Sequence, residues 1–300
     1  GLYKYKIKHS TKEVTMSEQQ QTALVTGASS GIGRETAVKL AEKGFAVIAA
    51  ARRMERLAEL ADQVEGITPR QVDLSQPDDT EKFCSYLSEL PAPVSVLVNN
   101  AGYSVRGALE DVSIEAVKRL FEVNIFALIR VTQACLPAMR RQKKGMIVNL
   151  SSIVGKFTFP GSGVYAASKH DLEAISDAMR LELAPMGIKV VAIRPGPIAT
   201  EFNEAATEMT GDLMTRTDPD YKKIYQAAGE HTGKLFADLH IPGPELIANL
   251  IMEAVLSESP KIVYSAGPIN DEFLGNRAEL DDEGFHLFML EKFGLGNLKI

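Results

Sequence analysis

The chain has 300 residues, enough for one large domain or two ordinary ones, and its 45% hydrophobic and 24% charged content can build a sizeable core. A formal net charge of -6 gives no reason to expect nucleic-acid binding. Two cysteines, Cys84 and Cys135, are too few for a disulfide framework or a metal cluster, so no metal is expected and both read as reduced core residues.

Residues 1–15 carry Lys4, Lys6, Lys8 and Lys12, with Tyr3, Tyr5 and Ile7 alternating among them, and Met16 reads as a natural start. We read this segment as a tag or poorly ordered leader, with a basic membrane-touching arm as the alternative. Apolar runs such as 45–51 are too short to cross a bilayer, and the chain is read as cytoplasmic.

From Thr22 onward short apolar runs alternate with longer helical ones. Strands are predicted over 23–26, 45–50, 94–98, 146–150, 188–194 and 262–264, with a third strand in chain order ending across 71–74. Helices are predicted over 35–43 and 53–64, and Pro77 opens another. Almost wholly apolar strands separated by helices argue for a parallel sheet covered on both faces. No fixed repeat and no low-complexity linker interrupt the pattern, so residues 16–266 are expected to form one catalytic domain. Within it, 201–240 is the expected substrate-loop region; 267–300 is read as an extension packing on the same domain or on a neighbouring subunit.

Such sheets bind ligands beyond the carboxyl ends of their strands. Gly27, Arg52, Asp73, Asn99, Ser152 and Pro195 all fall there. Thr26-Gly27-Ala28-Ser29-Ser30-Gly31-Ile32-Gly33 lies between a strand and a helix, the context a dinucleotide fingerprint requires. Its glycines permit close backbone approach, and the following helix offers free N–H groups to a pyrophosphate. An acid about 20 residues further on would bind the ribose hydroxyls of NAD. Here Ala49-Ala50-Ala51 runs into Arg52 and Arg53 instead, and a guanidinium matches a phosphate, so NADP(H) is favoured over NAD(H). The plainer reading, two solvated arginines starting a helix, stays more open for Arg53 than for Arg52.

Tyr165 and Lys169 stand one helical turn apart, on one face. Moving a phenol from about 10 to neutrality takes about 4 kcal/mol. One ammonium at about 4 Å supplies that order of energy at an effective dielectric of about 20. Asn124 shares a helical stripe with Val117, Leu120, Phe121 and Leu128, so its amide is expected to be buried and to find partners. A buried Asn satisfied by backbone accounts for that pattern as well as a functional one does. His170 points about 100° away from Lys169 and reads as a surface or interface residue.

Taken in order, Thr26 to Gly33, Asn99-Asn100-Ala101-Gly102, Asn124, Ser152, Tyr165 with Lys169, and Pro195-Gly196 with Thr200 resemble the short-chain dehydrogenase/reductase family over about 22–264. That resemblance implies a three-layer Rossmann fold, a doubly wound parallel sheet of seven strands, and a nicotinamide cofactor. By position it implies that Asp73 and Leu74 contact adenine, that Asn99, Ala101 and Gly102 shape the floor beneath the cofactor, and that Pro195, Gly196, Ile198 and Thr200 line the nicotinamide half. The implied catalytic group is Asn124, Ser152, Tyr165 and Lys169. Ser152 holds the substrate oxygen and Tyr165 acts as general acid or base. Lys169 lowers the Tyr165 pKa and binds ribose, and Asn124 holds a relay water. The implied activity is NADP(H)-dependent interconversion of a ketone or aldehyde with an alcohol. Phe202, Met209, Leu213, Met214 and Leu235, with Phe285, Leu287, Phe288, Leu290 and Phe293 of the tail, suggest a hydrophobic substrate. Helices around 113–136 and 165–184, with Ala174, Ala178 and Ala184, suggest a homodimer or homotetramer. A non-redox enzyme on the same scaffold and a catalytically silent NADP-binding regulator are the alternatives.

Overall fold

The computed structural model describes residues 20–202 and 217–299. Seven parallel strands form one sheet: β1 (Thr22–Thr26), β2 (Ala46–Ala51), β3 (Ile67–Gln71), β4 (Val94–Asn99), β5 (Gly145–Leu150), β6 (Ile188–Pro195) and β7 (Val263–Ala266). Their order is β3-β2-β1-β4-β5-β6-β7. The order reverses between β1 and β4, which opens the crevice where doubly wound sheets bind ligands.

Alternate residues of each strand face opposite layers. Ala23 and Val25 pack against α1 (Gly31–Glu42), α2 (Met54–Gln63) and, further along, Ile247 and Ile251 of a helix spanning Glu245–Leu256. Leu24 faces the other layer, with α3 (Pro77–Ser88) and the helices that follow β4 and β5. Both faces are thus covered, as the unbroken apolar strands require.

After β4, α4 (Ile114–Phe121) runs through a π-helical turn, Glu122–Ala127, into α5 (Leu128–Gln142). By length and composition the 29-residue stretch Ile114–Gln142 could cross a membrane, which the shorter runs of the sequence did not suggest. Here α5 lays Val131, Cys135 and Met139 on the sheet instead. The layer is completed by α6 (Gly163–Leu183). Beyond β6 come α7 (Pro219–Phe236) and α8 (Glu245–Leu256). The extension forms α9 (Asn270–Glu279) and α10 (Asp282–Lys292).

That extension packs on its own domain. Phe273 stacks on Phe157 at 5.4 Å between centroids, and Phe159 stands edge-on to Phe273 and Phe293. Two aromatic rings from the tail, with Phe285 beside Phe157 as a third, therefore seal the segment that follows β5. Leu287, counted among the tail's docking residues, is exposed instead.

The predicted strand and helix ends shift most in three places, and elsewhere by at most one residue. Helix α1 begins at Gly31, inside the glycine turn, so the turn is shorter than its motif. Strand β7 is Val263–Ala266, two residues further along than predicted at its end. Strand β3 stops at Gln71, which leaves Asp73 and Leu74 beyond it. There the Asp73 carboxylate accepts the Ser75 N–H and hydroxyl at 3.0 and 2.8 Å, a side-chain turn that competes with the ladder.

Candidate active site

The glycine turn after β1 is built by close approach. A methyl group on Gly27, whose φ is +67°, would lie 2.9 Å from Ala101 Cα and 2.8 Å from Asn100 Nδ2. One on Gly33 would lie 2.5 Å from the Gly27 carbonyl oxygen. Asn100 locks this arrangement: its Nδ2 donates to Thr26 O at 2.8 Å, and Thr26 Oγ1 accepts from the N–H groups of Asn100 and Ala101. Asn100 and Thr26 were in the motif, but only the pairing of β1 with β4 shows that one clamps the other. Ile32 packs into the core behind the turn.

Arg53, immediately before α2, folds back onto this turn. It donates from Nε to Ser29 Oγ at 3.2 Å and from Nη2 to Ser30 Oγ at 2.7 Å. Its Nη1 pairs with Glu201 at 2.9 Å, and Arg56 meets the same carboxylate at 2.7 Å. Those hydrogen bonds hold the Glu201 carboxyl below the usual range. The plainer reading of a solvated side chain, more open for Arg53 than for Arg52, does not describe Arg53, which is tied to the turn. Arg52 is exposed, and its charge is felt by Tyr103. Leu74 is buried beside Asn99 and Ala101.

On the other side of the crevice, Ser152 ends the β5 connection and caps a short 3-10 turn by accepting the Val154 N–H at 3.3 Å. Its hydroxyl is near enough to the Tyr165 phenol to work to lower its pKa. Ser151 is buried, turned beneath the segment towards Glu173. The choice of Ser152 over its neighbour follows from that alternation.

Tyr165, Lys169 and Glu173 occupy successive turns of α6. Lys169 Nζ donates to Leu150 O at 2.6 Å and lies 5.8 Å from the Tyr165 ring centroid. Burial pushes the ammonium down to about 8, and Glu173 pulls it back up. Burial raises the Tyr165 phenol above its ordinary value, against Ser152 and Arg106, which lower it. The expectation is that Lys169, helped by a cationic cofactor ring, lowers this phenol; in the protein by itself desolvation wins.

Glu173 is buried, and Arg194, at the end of β6, grips it with Nε at 3.0 Å and Nη2 at 2.6 Å. Burial works to raise this carboxyl, but Arg194, with Ser151 and Lys156, outweighs it and holds it below the usual range. Sequence reasoning missed this pair, although Glu173 sits one turn beyond Lys169.

Asn124 is buried in the π-helical turn. Its Oδ1 accepts from Tyr103 N, and its Nδ2 donates to Tyr103 O and Ser168 Oγ, each at 3.1 Å. Backbone thus satisfies most of the amide, as the plainer reading held. Gly102 brings it near the lysine: a methyl there would lie 3.1 Å from Asn124 Oδ1 and 3.8 Å from Lys169 Nζ. Asn99 is spent below the site, donating to Thr132 Oγ1 and Asn149 Oδ1 at 3.1 and 2.9 Å.

The loop after β6 is pinned by a residue the sequence did not flag. Asn270, the first residue of α9, is buried against Gly196 and donates to Arg194 O and Ser265 Oγ. Pro195 ends the strand and Ile198 joins the core, while Thr200 faces Gly31. His170 is exposed, its Nδ1 at the Ala166 carbonyl. Met209, Leu213 and Met214 lie outside the described residues. Among the described residues no cluster of three His, Cys, Asp or Glu could hold a metal.

A seven-stranded doubly wound sheet with a glycine turn at the first strand and a Ser, Tyr and Lys group across the switch point defines a dinucleotide-dependent class of enzyme. The sequence model of the short chain dehydrogenase family matches residues 21–211. The chain belongs to that family, and is an oxidoreductase of the short-chain type. It is 34% identical over 255 residues to an uncharacterized oxidoreductase, YbbO, of Escherichia coli, covering 85% of this chain and 88% of that one. Retinol dehydrogenase 8 of Homo sapiens is 33% identical over 260 residues, covering 82% and 81%. A solved short-chain dehydrogenase from Sphingobium yanoikuyae in complex with NADPH superposes with a TM-score of 0.67 at 25% identity, covering 93% of this chain and 96% of that one.

Proposed function

We propose that the protein is an NADP(H)-dependent oxidoreductase that interconverts a hydrophobic ketone or aldehyde with its alcohol. The observation that carries this reading is the meeting of Ser152, Tyr165 and Lys169 on the rim of the crevice, across from a glycine turn built for close backbone approach. The turn fits a dinucleotide. Gly27 and Gly33 leave no room for a side chain, α1 presents its free N–H groups there, and Arg53 and Arg56 already hold a carboxylate beside it. NADP(H) rather than NAD(H) follows from that arginine pair.

In reduction, Ser152 holds the substrate carbonyl oxygen and Tyr165 gives its phenolic proton to it; in oxidation the phenolate takes the proton back. When bound, the nicotinamide supplies or takes the hydride and, when oxidised, adds a positive ring charge. Lys169 holds ribose hydroxyls and contributes its ammonium to the field at the phenol. Asn124 and Gly102 keep polar atoms close to that ammonium, where a relay water finds partners. The hydrophobic substrate is supported by Phe202, whose ring lies 5.6 Å from that of Tyr165, and by the name of the human relative, since retinol is an apolar alcohol. Exposed Ala174 and Ala178 on α6, with Phe126 on the neighbouring helical stretch, support a homodimer or homotetramer.

The test is the consumption of NADPH and NADH with a panel of ketones and aldehydes of increasing apolar size. Faster turnover of NADPH, improving with apolar size, is expected. Absence of turnover with every carbonyl and either cofactor would reject the assignment.

A further inference from the structure

Thr200, Glu201 and Phe202 are consecutive, and each touches a different part of the site. A methyl group on Gly31 would lie 3.2 Å from Thr200 Cγ2, so Thr200 rests on the start of α1. Glu201 takes the guanidinium groups of both Arg53 and Arg56, the former also held by Ser29 and Ser30. Phe202 lies on the Tyr165 ring. The carboxylate therefore sits beside the glycine turn, held by two guanidinium groups, on the wall of a cleft of about 280 Å³ that Arg34 and Glu59 also line.

We propose that Glu201 is an internal competitor for the cofactor's phosphate: a phosphate bound at Arg53 and Arg56 displaces it and draws the Thr200–Phe202 strap off Gly31 and Tyr165. This rests on the NADP(H) reading above. Arg53 and Arg56 are 42% and 43% exposed and Glu201 is 45% exposed, so water screens the pair and the latch is weak. A ribose phosphate brings roughly two negative charges and three acceptor oxygens to the same two forks, against one charge and two oxygens from the carboxylate. Because Phe202 follows Glu201 directly, losing the latch at one end of the crevice loosens the cover on the phenol at the other. The phosphate would thus both pay for selectivity and expose the general acid.

The experiment uses adenosine 2′,5′-bisphosphate and adenosine 5′-monophosphate as probes, titrated into the full chain and into Glu201→Gln. Glu201→Gln is expected to tighten the bisphosphate about three- to fivefold while leaving the monophosphate almost unchanged. The chain has no tryptophan, so Phe202→Trp gives a clean reporter. Its emission is expected to move to the red when the bisphosphate is added, and to be red already when Glu201→Gln is combined with it. Equal effects on the two nucleotides, or an emission that ignores the bisphosphate, would overturn this inference alone, provided Arg53→Ala still weakens NADPH more than NADH. Equal weakening of NADPH and NADH by Arg53→Ala would overturn the cofactor reading and this inference with it.

Discussion

The two sides of the crevice hold their charges in opposite ways. On the glycine side, Arg53, Arg56 and Glu201 are each more than two-fifths exposed, and their pairing is free to be exchanged for a ligand's. On the catalytic side, Lys169 and Glu173 are buried, at 6% and 4%, and hydrogen-bonded to Leu150 O and to Arg194. Exposed pairs are worth about 0–1 kcal/mol, whereas breaking a buried one by removing a partner costs about 3–5 kcal/mol. One side is therefore built to respond to what binds, and the other to stay as folded.

Lys169→Met should break the catalytic side most completely. Turnover is expected to fall about 10²–10⁴-fold. The thermal midpoint should hold or rise, because the drop of the ammonium from 10.5 to about 8 means burial of its charge costs the fold about 3 kcal/mol at neutral pH. Calorimetry showing a lower midpoint would mean that Lys169 is a structural residue first.

Glu173→Gln should cost about 3–5 kcal/mol in denaturant unfolding, by stranding the Arg194 charge. The sign with pH follows from the lowered folded pKa of Glu173: its contribution is present above the ordinary carboxylate value and is lost as pH falls through the folded one. Wild type and variant should therefore converge in acid. Loss of Glu173 also removes the charge that raises Lys169, so the alkaline fall in kcat/KM, expected near pH 8, should move to lower pH.

Gly33→Ala should cost about 1–3 kcal/mol by overpacking against the Gly27 carbonyl, and should weaken both cofactors alike. Arg53→Ala is the mildest: NADPH affinity should fall about tenfold, NADH affinity much less, and the fold should be unaffected. Cofactor titrations with a thermal scan separate the two, and equal loss of NADPH and NADH in Arg53→Ala would blur the contrast between the sides.

What was legible in the sequence differs along the same line. The glycine turn, Ser152 and the Tyr165–Lys169 pair are local patterns, set by a strand, a turn or one helical turn, and each lies where its spacing placed it. The strand series was legible because buried parallel strands are continuously apolar. What was missed are contacts between distant segments. Arg194 meets Glu173 across 21 positions, Asn100 meets Thr26 across 74, and Asn270 meets the Arg194 carbonyl across 76. The Arg53 contact with Ser29 and Ser30 has the same origin: which of two adjacent arginines turns back depends on where α2 starts, and it starts after Arg53. The direction of the Tyr165 shift depends on burial, to which a four-residue spacing is blind.

The claim on which the account rests is that one phenol moves the proton and does little else. Tyr165→Phe removes a single oxygen from a packed ring, so NADPH affinity and carbonyl turnover measured on one preparation read the claim directly. Turnover is expected to fall at least about 10²-fold with NADPH affinity kept within about twofold. Parallel loss of affinity and turnover, or turnover that survives, would contradict it.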